Sequence, residues 1–341
     1  MAVVNTEKRG ASLYDEESLE KQLRQQKKHA WDLEKDIDWS TGIDLNRPLV
    51  PLDDKACFFP GSSKEEKLVI SHMMGLVITM SICELEESLE RLENECWAKV
   101  ISRHPVSPEF NELGEQFFVE EVKHSRAFRR YLNYFANSAG VDLEDLKRIL
   151  PKVEESATEK FVRKNLDNRG HVFWWMVSVI EQQFLWLYKI MVPFKHDLEP
   201  LFYTLQKRHF EEEARHINFP HLMLELMMER DNTTLGKLHS KIDLAVAEVA
   251  MTQMVANGLA RMRNVKKLKE KHELFAIMTK VLPKMMDQPK HQLVWQFFTS
   301  VPYISSLVNP RYHDKFLKFA KDSGVVSIPF PKPKPEILRA F

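Results

Sequence analysis

The chain has 341 residues, 44% of them hydrophobic and 29% charged, a composition typical of a globular protein with ample material for a core. Its 49 basic side chains balance 49 acidic ones, so no overall charge favours nucleic acid or an anionic membrane as a partner. Only 10 glycines occur and no glycine-rich phosphate loop is present, which argues against nucleotide binding of the Rossmann or P-loop kind.

The cysteine content and the distribution of apolar residues indicate in which cellular compartment the protein is expected. The cysteines are few, odd in number and form no C-x-x-C pair, as is usual in a reducing cytosol, and the N-terminus lacks the apolar core of a signal peptide. Two apolar runs, 68–83 and 173–192, need to be considered as membrane spans. The first is short and contains His72, and the second carries Glu181 at its middle, where a bilayer would make a charge expensive. We therefore expect a cytoplasmic protein that buries both runs as helices.

The chain is predicted to be all-α, because almost no alternating strand pattern occurs. Residues 1–60 form an N-terminal extension expected to wrap the bundle, with one helical stretch at about 14–36. Residues 61–230 form the helical bundle, 231–325 form helices packed on it, and 326–341 form a proline-rich extended tail, all within one domain. Helices are expected at 62–103, 107–140, 142–150, 157–166, 171–192, 196–229, 233–265, 267–285, 288–300 and 310–322.

Two of the long helices carry a Glu-x-x-His motif on or beside their apolar face. In one, Glu121 and His124 follow the stripe of aromatic side chains at helical spacing. In the other, Glu213 and His216 lie along a similar stripe, and His209 precedes them by one turn. Carboxylates and imidazoles are costly to bury unless something satisfies them, so the pattern indicates either a wet face or a bound cation.

Each of the two remaining long helices adds one inward glutamate. Glu181 is isolated within a long apolar run and lies on its stripe. The first long helix has many glutamates, and Glu86 is our choice because it lies on the shoulder of the buried face, about 80° round the helix from Ile78. Glu93 and Glu90 are the alternatives, whereas Glu84 points away from that face and should be solvated.

The combined pattern is one glutamate from each of two helices and a Glu-x-x-His from each of two others. This is the inward-facing ligand set of ferritin-like di-iron carboxylate bundles. We therefore expect a ferritin-like four-helix bundle with additional N- and C-terminal helices and a pair of iron ions. Bridging carboxylates offset the repulsion between two divalent irons, and imidazole adds a nitrogen ligand that suits iron. Because the same ligands accept manganese, a Mn or mixed Mn/Fe site stays open.

The strings FVEEVKH, VSVIEQQF and RHFEEEARH resemble those of the p-aminobenzoate N-oxygenase family of non-haem di-iron oxygenases. The chain is similar to members of this family in carrying a third histidine, His209, which ordinary ferritins and acyl-carrier-protein desaturases lack. The resemblance spans roughly residues 60–230. It implies iron ligands at Glu86, Glu121, His124, Glu181, His209, Glu213 and His216.

The resemblance also implies a reaction, in which O₂ is activated at the di-iron centre and oxygen is transferred to the amine nitrogen of an aromatic substrate. Electrons would come from an external donor. Because members of the family commonly form homodimers, the resemblance also implies a homodimer. Aromatic side chains near the motifs fit either a flat apolar pocket or the core: Phe117, Phe118, Phe128, Phe173, Trp174 and Phe184. Two alternatives remain open, a hydroxylase or desaturase acting on an aliphatic or acyl substrate, and a non-catalytic ferritin-like iron-binding protein.

Overall fold

The structure, a computed structural model, consists of helices and their connections. It describes residues 15–51, 62–103, 106–152, 160, 172–178, 180–181, 184–185, 187–189, 191–230, 258 and 260–286. No strand occurs within these ranges, and the all-α prediction is confirmed. The helices predicted at 288–300 and 310–322 and the tail 326–341 lie outside the described residues, as does most of 233–265 and of 157–166.

Nine helices are labelled here in chain order. The second continues through a π-helical turn, Asn94–Ala98, into the third, and the described helical residues of the sixth fall between 172 and 191. The helices are α1 (Glu16–His29), α2 (Lys64–Glu93), α3 (Lys99–Arg103), α4 (Pro108–Ala139), α5 (Leu143–Ile149), α6 (within 172–191), α7 (Pro200–His216), α8 (Asn218–Arg230) and α9 (Glu273–Met286).

Local side-chain signals set the ends of the two longest helices. Helix α2 opens with a capping box, in which the Ser63 hydroxyl accepts from the Glu66 backbone N–H and the Glu66 carboxylate accepts from the Ser63 N–H. Helix α4 opens with Ser107 as its N-cap and Pro108 in its first turn, and it ends at Gly140, which takes a φ of 66°. These starts and the glycine stop agree with the sequence prediction.

Other boundaries differ from the prediction. The helix expected over 196–229 is two helices, α7 and α8, that meet at a turn at Ile217. Pro220 explains the break, because it has no N–H to donate to the carbonyl four residues earlier and so cannot extend the α7 ladder. Helix α1 ends at His29 rather than near 36, and α9 begins at Glu273, after the 3₁₀ turn Arg263–Lys267.

The chain after α1 lies across the bundle and is tied to it by polar contacts. Arg130 of α4 donates to both carboxylate oxygens of Glu34, at 2.7 and 2.8 Å. Arg208 of α7 binds Asp36 at 3.1 Å. Residues 30–51 are therefore part of the packed structure, in contact with α4 and α7, the two helices that carry the Glu-x-x-His motifs.

Two clusters of buried apolar side chains fill the bundle, and a polar layer separates them. Along α2, α4, α6 and the stretch from α7 into α8, the predicted site residues lie between a member of one cluster and a member of the other. The flanking pairs are Cys83 and Leu89 on α2, Phe118 and Phe128 on α4, Val177 and Leu187 on α6, and Leu205 on α7 with Phe219 on α8. The fold therefore places the site at one level, with apolar packing on both sides of it.

One helical stretch of the described chain, Lys64–Arg103, is long and apolar enough to cross a membrane by length and composition. Of its most apolar window, 78% is buried inside the protein. The stretch contains Glu86, which faces the polar layer. It is therefore packed as a core helix of the bundle.

The close crossing of the N-terminal segment over α2 generates the first prediction. A Cβ on Gly75 would lie 2.4 Å from Leu49 Cβ, and Leu49 is fully buried with its Cβ fixed to the backbone. We expect Gly75→Ala to lower the free energy of unfolding by about 1–3 kcal/mol in chemical denaturation, because the overlap outweighs the better helix propensity of alanine. Ser81→Ala in the same helix is the control and should stay within about 0.5 kcal/mol of wild type. A stabilised Gly75→Ala protein would contradict this crossing.

Candidate metal centre

Four helices direct carboxylates and imidazoles into the polar layer. Ligand atoms of Glu86, His124, His209 and Glu213 lie within 4.8 Å of one another, as do those of Glu121, His124, Glu213 and His216. All of these residues are buried. Glu181 joins them from α6, because its buried carboxyl group lies close enough to that of Glu213 to interact with it strongly. The seven residues predicted from sequence are thus brought together at one place.

Glu213 lies at the centre of the cluster and touches all three histidines. Its Oε1 is 2.7 Å from His209 Nε2 and 3.1 Å from His124 Nδ1, and its Oε2 is 3.2 Å from His216 Nδ1. Glu86 Oε1 lies 2.9 Å from His209 Nε2. Glu121 Oε1 lies 2.8 Å from His216 Nδ1. Glu213 therefore belongs to both groups of ligand atoms.

The structure separates the three candidates on α2. Glu86 is 2% exposed and lies in the cluster, whereas Glu90 is exposed and Glu93 only half-buried. The expectation that Glu84 is solvated is wrong, because it is only 7% exposed. Helix α2 is covered on more than one face, with every residue from Val69 to Met73 buried, so a single apolar stripe underestimates its burial.

The electrostatics of the cluster favour the binding of a cation. Burial, followed by repulsion from neighbouring carboxylates, raises the pKa of Glu86 and of Glu181 well above the usual range, and also raises the pKa of Glu121. Burial acts in the same direction on Glu213, but His209 and His216 overcome it and hold its pKa well below the usual range. A bound cation would oppose the upward shifts, because a positive charge favours the ionised form of each carboxylate.

Several buried polar atoms of the cluster make no hydrogen bond of normal geometry, even where another ligand atom lies close, although such atoms are normally satisfied in folded proteins. They are Glu86 Oε2, Glu121 Oε1, His124 Nδ1, Glu181 Oε2 and Glu213 Oε1. These carboxylate oxygens and imidazole nitrogens converge on one space, and their donor types suit iron or manganese. Four carboxylates would also balance the charge of two divalent ions. The residues present therefore fit a two-metal centre.

Two further glutamates, not predicted from sequence, hold the outer nitrogens of two histidines. His124 Nε2 lies 2.6 Å from Glu212 Oε2, and His216 Nε2 lies 2.7 Å from Glu120 Oε2. Burial raises the pKa of Glu212, but His124 and Lys123 outweigh that effect and lower it to about 2. The available signal was the doubled glutamate in both motifs, Glu-Glu-x-x-His, whose first member was not assigned a role.

The aromatic side chains around the motifs pack against the imidazoles. The Phe117 ring centroid lies 4.8 Å from that of His216, and the Phe128 and Phe184 centroids each lie 5.0 Å from that of His209. Phe117, Phe118, Phe173 and Trp174 belong to one buried apolar cluster. These rings pack as core side chains beside the ligands and keep water from them, and their possible role as pocket lining stays a prediction.

A cavity of about 350 Å³ lies between α1 and the end of α7 and reaches His216. Most of the residues that line it are of polar or charged type, Lys21, Gln26 and Arg215 among them. Gln26, one of its lining residues, donates to Glu120 Oε2, which is the partner of His216 Nε2. The cavity therefore adjoins the outer hydrogen bonds of the centre.

The sequence matches the model of the family described as P-aminobenzoate N-oxygenase AurF over residues 14–284. No curated protein matches the chain. Among solved structures, an R2-like ligand-binding oxidase with an aerobically reconstituted Mn/Fe cofactor aligns at 15% identity and a TM-score of 0.46, covering 92% of this chain and 93% of that one. The same oxidase after photoconversion aligns at 14% identity and a TM-score of 0.48, covering 93% and 95%. A variant of an R2-like ligand-binding oxidase with an Fe/Fe cofactor aligns at 16% identity and a TM-score of 0.47, covering 93% of this chain and 95% of that one.

The buried, unsatisfied cluster predicts a large stabilisation by metal. We expect Fe(II) or Mn(II), added anaerobically to chelator-treated protein at about 100 times the dissociation constant, to raise the free energy of unfolding by about 2.7 kcal/mol. The measurement is a thermal or denaturant unfolding curve with and without metal.

The matched variants for this test lie two residues apart on α7. Glu213→Ala removes the central carboxylate and should lose the metal-dependent shift, whereas Glu211→Ala, whose side chain is 37% exposed, should keep it. Equal shifts in the two variants would show that the metal binds elsewhere.

Proposed function

The chain belongs to the p-aminobenzoate N-oxygenase (AurF) family of ferritin-like, non-haem di-iron oxygenases, and on this premise we propose that it oxygenates the amine nitrogen of an aromatic substrate. The family model covers 14–284, which includes the N-terminal segment, the bundle and most of α9. Oxygenase chemistry at a di-iron centre follows from the membership. The arylamine substrate and the ligand roles of individual residues are our proposals.

The observation that carries the proposal is the position of His209. Its side chain is 1% exposed, and its Nε2 lies 2.7 Å from Glu213 and 2.9 Å from Glu86. A third imidazole in the cluster supports the N-oxygenase assignment, since the resemblance distinguishes this family from ferritins and acyl desaturases by that histidine. It makes the donor set richer in nitrogen than two Glu-x-x-His motifs alone.

We propose two metal positions that share Glu213. The side chains that would hold the ions are Glu86, Glu121, His124, Glu181, His209, Glu213 and His216. Glu213, like His124, belongs to both groups of ligand atoms, so its carboxylate could contribute to either metal position. Iron is the metal of the family, and the same donor types also accept manganese, so a Mn/Fe pair is compatible with this site.

When bound, the metal pair supplies the activation of O₂. The protein contributes a dry, preorganised set of donors: the rings of Phe117, Phe128 and Phe184 pack on the imidazoles and exclude water. Conversion of an amine to a hydroxylamine consumes one O₂, two electrons and two protons and releases one water. The electrons come from an external donor, because the sequence contains no glycine-rich nucleotide-binding loop.

The test is product analysis with a matched substrate panel. We expect the Fe(II)-loaded protein, given a chemical reductant and ¹⁸O₂, to convert arylamines to labelled hydroxylamine or nitro products detected by mass spectrometry. Phenols and aliphatic acids of similar size serve as comparison substrates. Oxygenation of the aliphatic acids in preference to the amines would replace this proposal with the hydroxylase or desaturase alternative. Iron uptake and oxidation with no organic product would favour an iron-binding role.

The role of His209 gives a separate prediction. We expect His209→Ala to lower arylamine turnover at least tenfold, because the cluster loses the nitrogen donor that touches both Glu86 and Glu213. His196→Ala removes an exposed imidazole outside the cluster and should leave turnover unchanged. Turnover and metal content per chain are measured together. Full activity in His209→Ala would remove the observation on which the assignment depends.

A further inference from the structure

The outer hydrogen bonds of the centre follow a reciprocal pattern between two helices. Glu212 of α7 binds His124 of α4, at 2.6 Å, and Glu120 of α4 binds His216 of α7, at 2.7 Å. Each of these glutamates immediately precedes an inner glutamate of its own helix. Because successive residues point about 100° apart around a helix, the inner carboxylate faces the cluster while the outer one reaches the neighbouring helix. All of these side chains are buried.

We propose that Glu120 and Glu212 are positioning residues that fix the tautomers of the two histidines for metal binding. A carboxylate that accepts the Nε2 proton leaves the lone pair of Nδ1 free for a metal ion. The geometry agrees, since Nδ1 of His216 lies 2.8 Å from Glu121 and Nδ1 of His124 lies 3.1 Å from Glu213, both inside the cluster. The inference rests on the proposed metal centre and assigns roles to residues outside its ligand set.

One short N-terminal segment holds both positioning carboxylates. The Gln26 side-chain amide, at the end of α1, donates to Glu120 Oε2 at 2.9 Å. Five residues later the backbone N–H of Trp31 donates to Glu212 Oε1 at 3.0 Å. The Trp31 ring also stacks on His124, with centroids 6.0 Å apart. The N-terminal segment therefore contacts both outer carboxylates, Glu120 and Glu212, from outside the bundle.

The two positioning carboxylates, Glu212 and Glu120, differ in the charge of their other partners. Lys123 Nζ lies 2.6 Å from Glu212 Oε1, so a cation draws electron density from that carboxylate. Glu120 is held only by neutral amides among its described contacts other than His216, those of Gln26 and of Gln116 at 3.2 Å. Glu120 is therefore the stronger acceptor, and His216 should be the more electron-rich ligand. The asymmetry makes the two metal positions inequivalent before any substrate binds.

The experiment reads the imidazole N–H protons directly. Co(II) bound in place of iron shifts the NMR signals of coordinated histidines far from the rest, and we expect three such exchangeable N–H signals in wild type. Glu120→Gln should move the His216 signal and speed its exchange with solvent, and Glu212→Gln should do the same to the His124 signal. The His209 signal should stay in place in both variants. Co(II) affinity should fall about 10- to 100-fold in each.

Matched controls lie on the same two helices. Glu112→Gln on α4 and Glu211→Gln on α7 change carboxylates outside the cluster and should alter neither signal nor affinity. Lys123→Met should shift only the His124 signal, which tests the asymmetry. If either glutamine variant fails to fold, Gln26→Leu and a Trp31→Pro change, which removes the backbone donor, test the same two hydrogen bonds from the N-terminal side.

The outcomes separate this inference from the proposed function. A wild-type chain that binds no Co(II) would overturn the metal centre itself. A chain that binds two Co(II) ions but keeps both histidine signals and full affinity in Glu120→Gln and Glu212→Gln would overturn only the positioning role. Movement of all three signals by every variant would indicate a general loosening and would also count against it.

Discussion

The burial of ionisable groups in one dry layer is the constraint on which the rest of the structure depends. Glu86, Glu121, Glu181 and Glu213 are each no more than 2% exposed and lie close together, an arrangement that costs several kcal/mol per charge unless cations compensate it. The apolar clusters on either side keep the layer dry. The same burial that makes the carboxylates unfavourable alone makes a pair of metal ions strongly favourable.

The bundle helices and the N-terminal segment divide the work of organising this layer. The bundle supplies the inner carboxylates and imidazoles, on four helices whose apolar residues pack above and below them. The N-terminal segment reaches the outer carboxylates through Gln26 and Trp31. Since Arg130 and Arg208 also tie that segment to α4 and α7, its docking and the geometry of the centre are mechanically linked.

Helix positions were predictable where the cause is local. The Ser63 capping box, the Ser-Pro start of α4 and its glycine stop all act within a few residues, and the helices begin and end where these signals predict. The break at Ile217 was missed because helical periodicity runs through it, although Pro220 carried the signal. The burial of Glu84 was missed because a helix wheel reports one stripe and α2 is covered on several faces.

The sequence by itself determined the chemistry of the site: two Glu-x-x-His motifs, an isolated Glu181 and the extra His209 predict a di-metal cluster, because helical spacing places each set on one face. Only the tertiary structure decided which glutamate of α2 enters the cluster, since Glu86 and Glu90 lie on one helix and differ in what packs against them. It alone also paired Glu120 with His216 and Glu212 with His124, because those partners are 96 and 88 residues apart and no spacing within one helix encodes a contact with another.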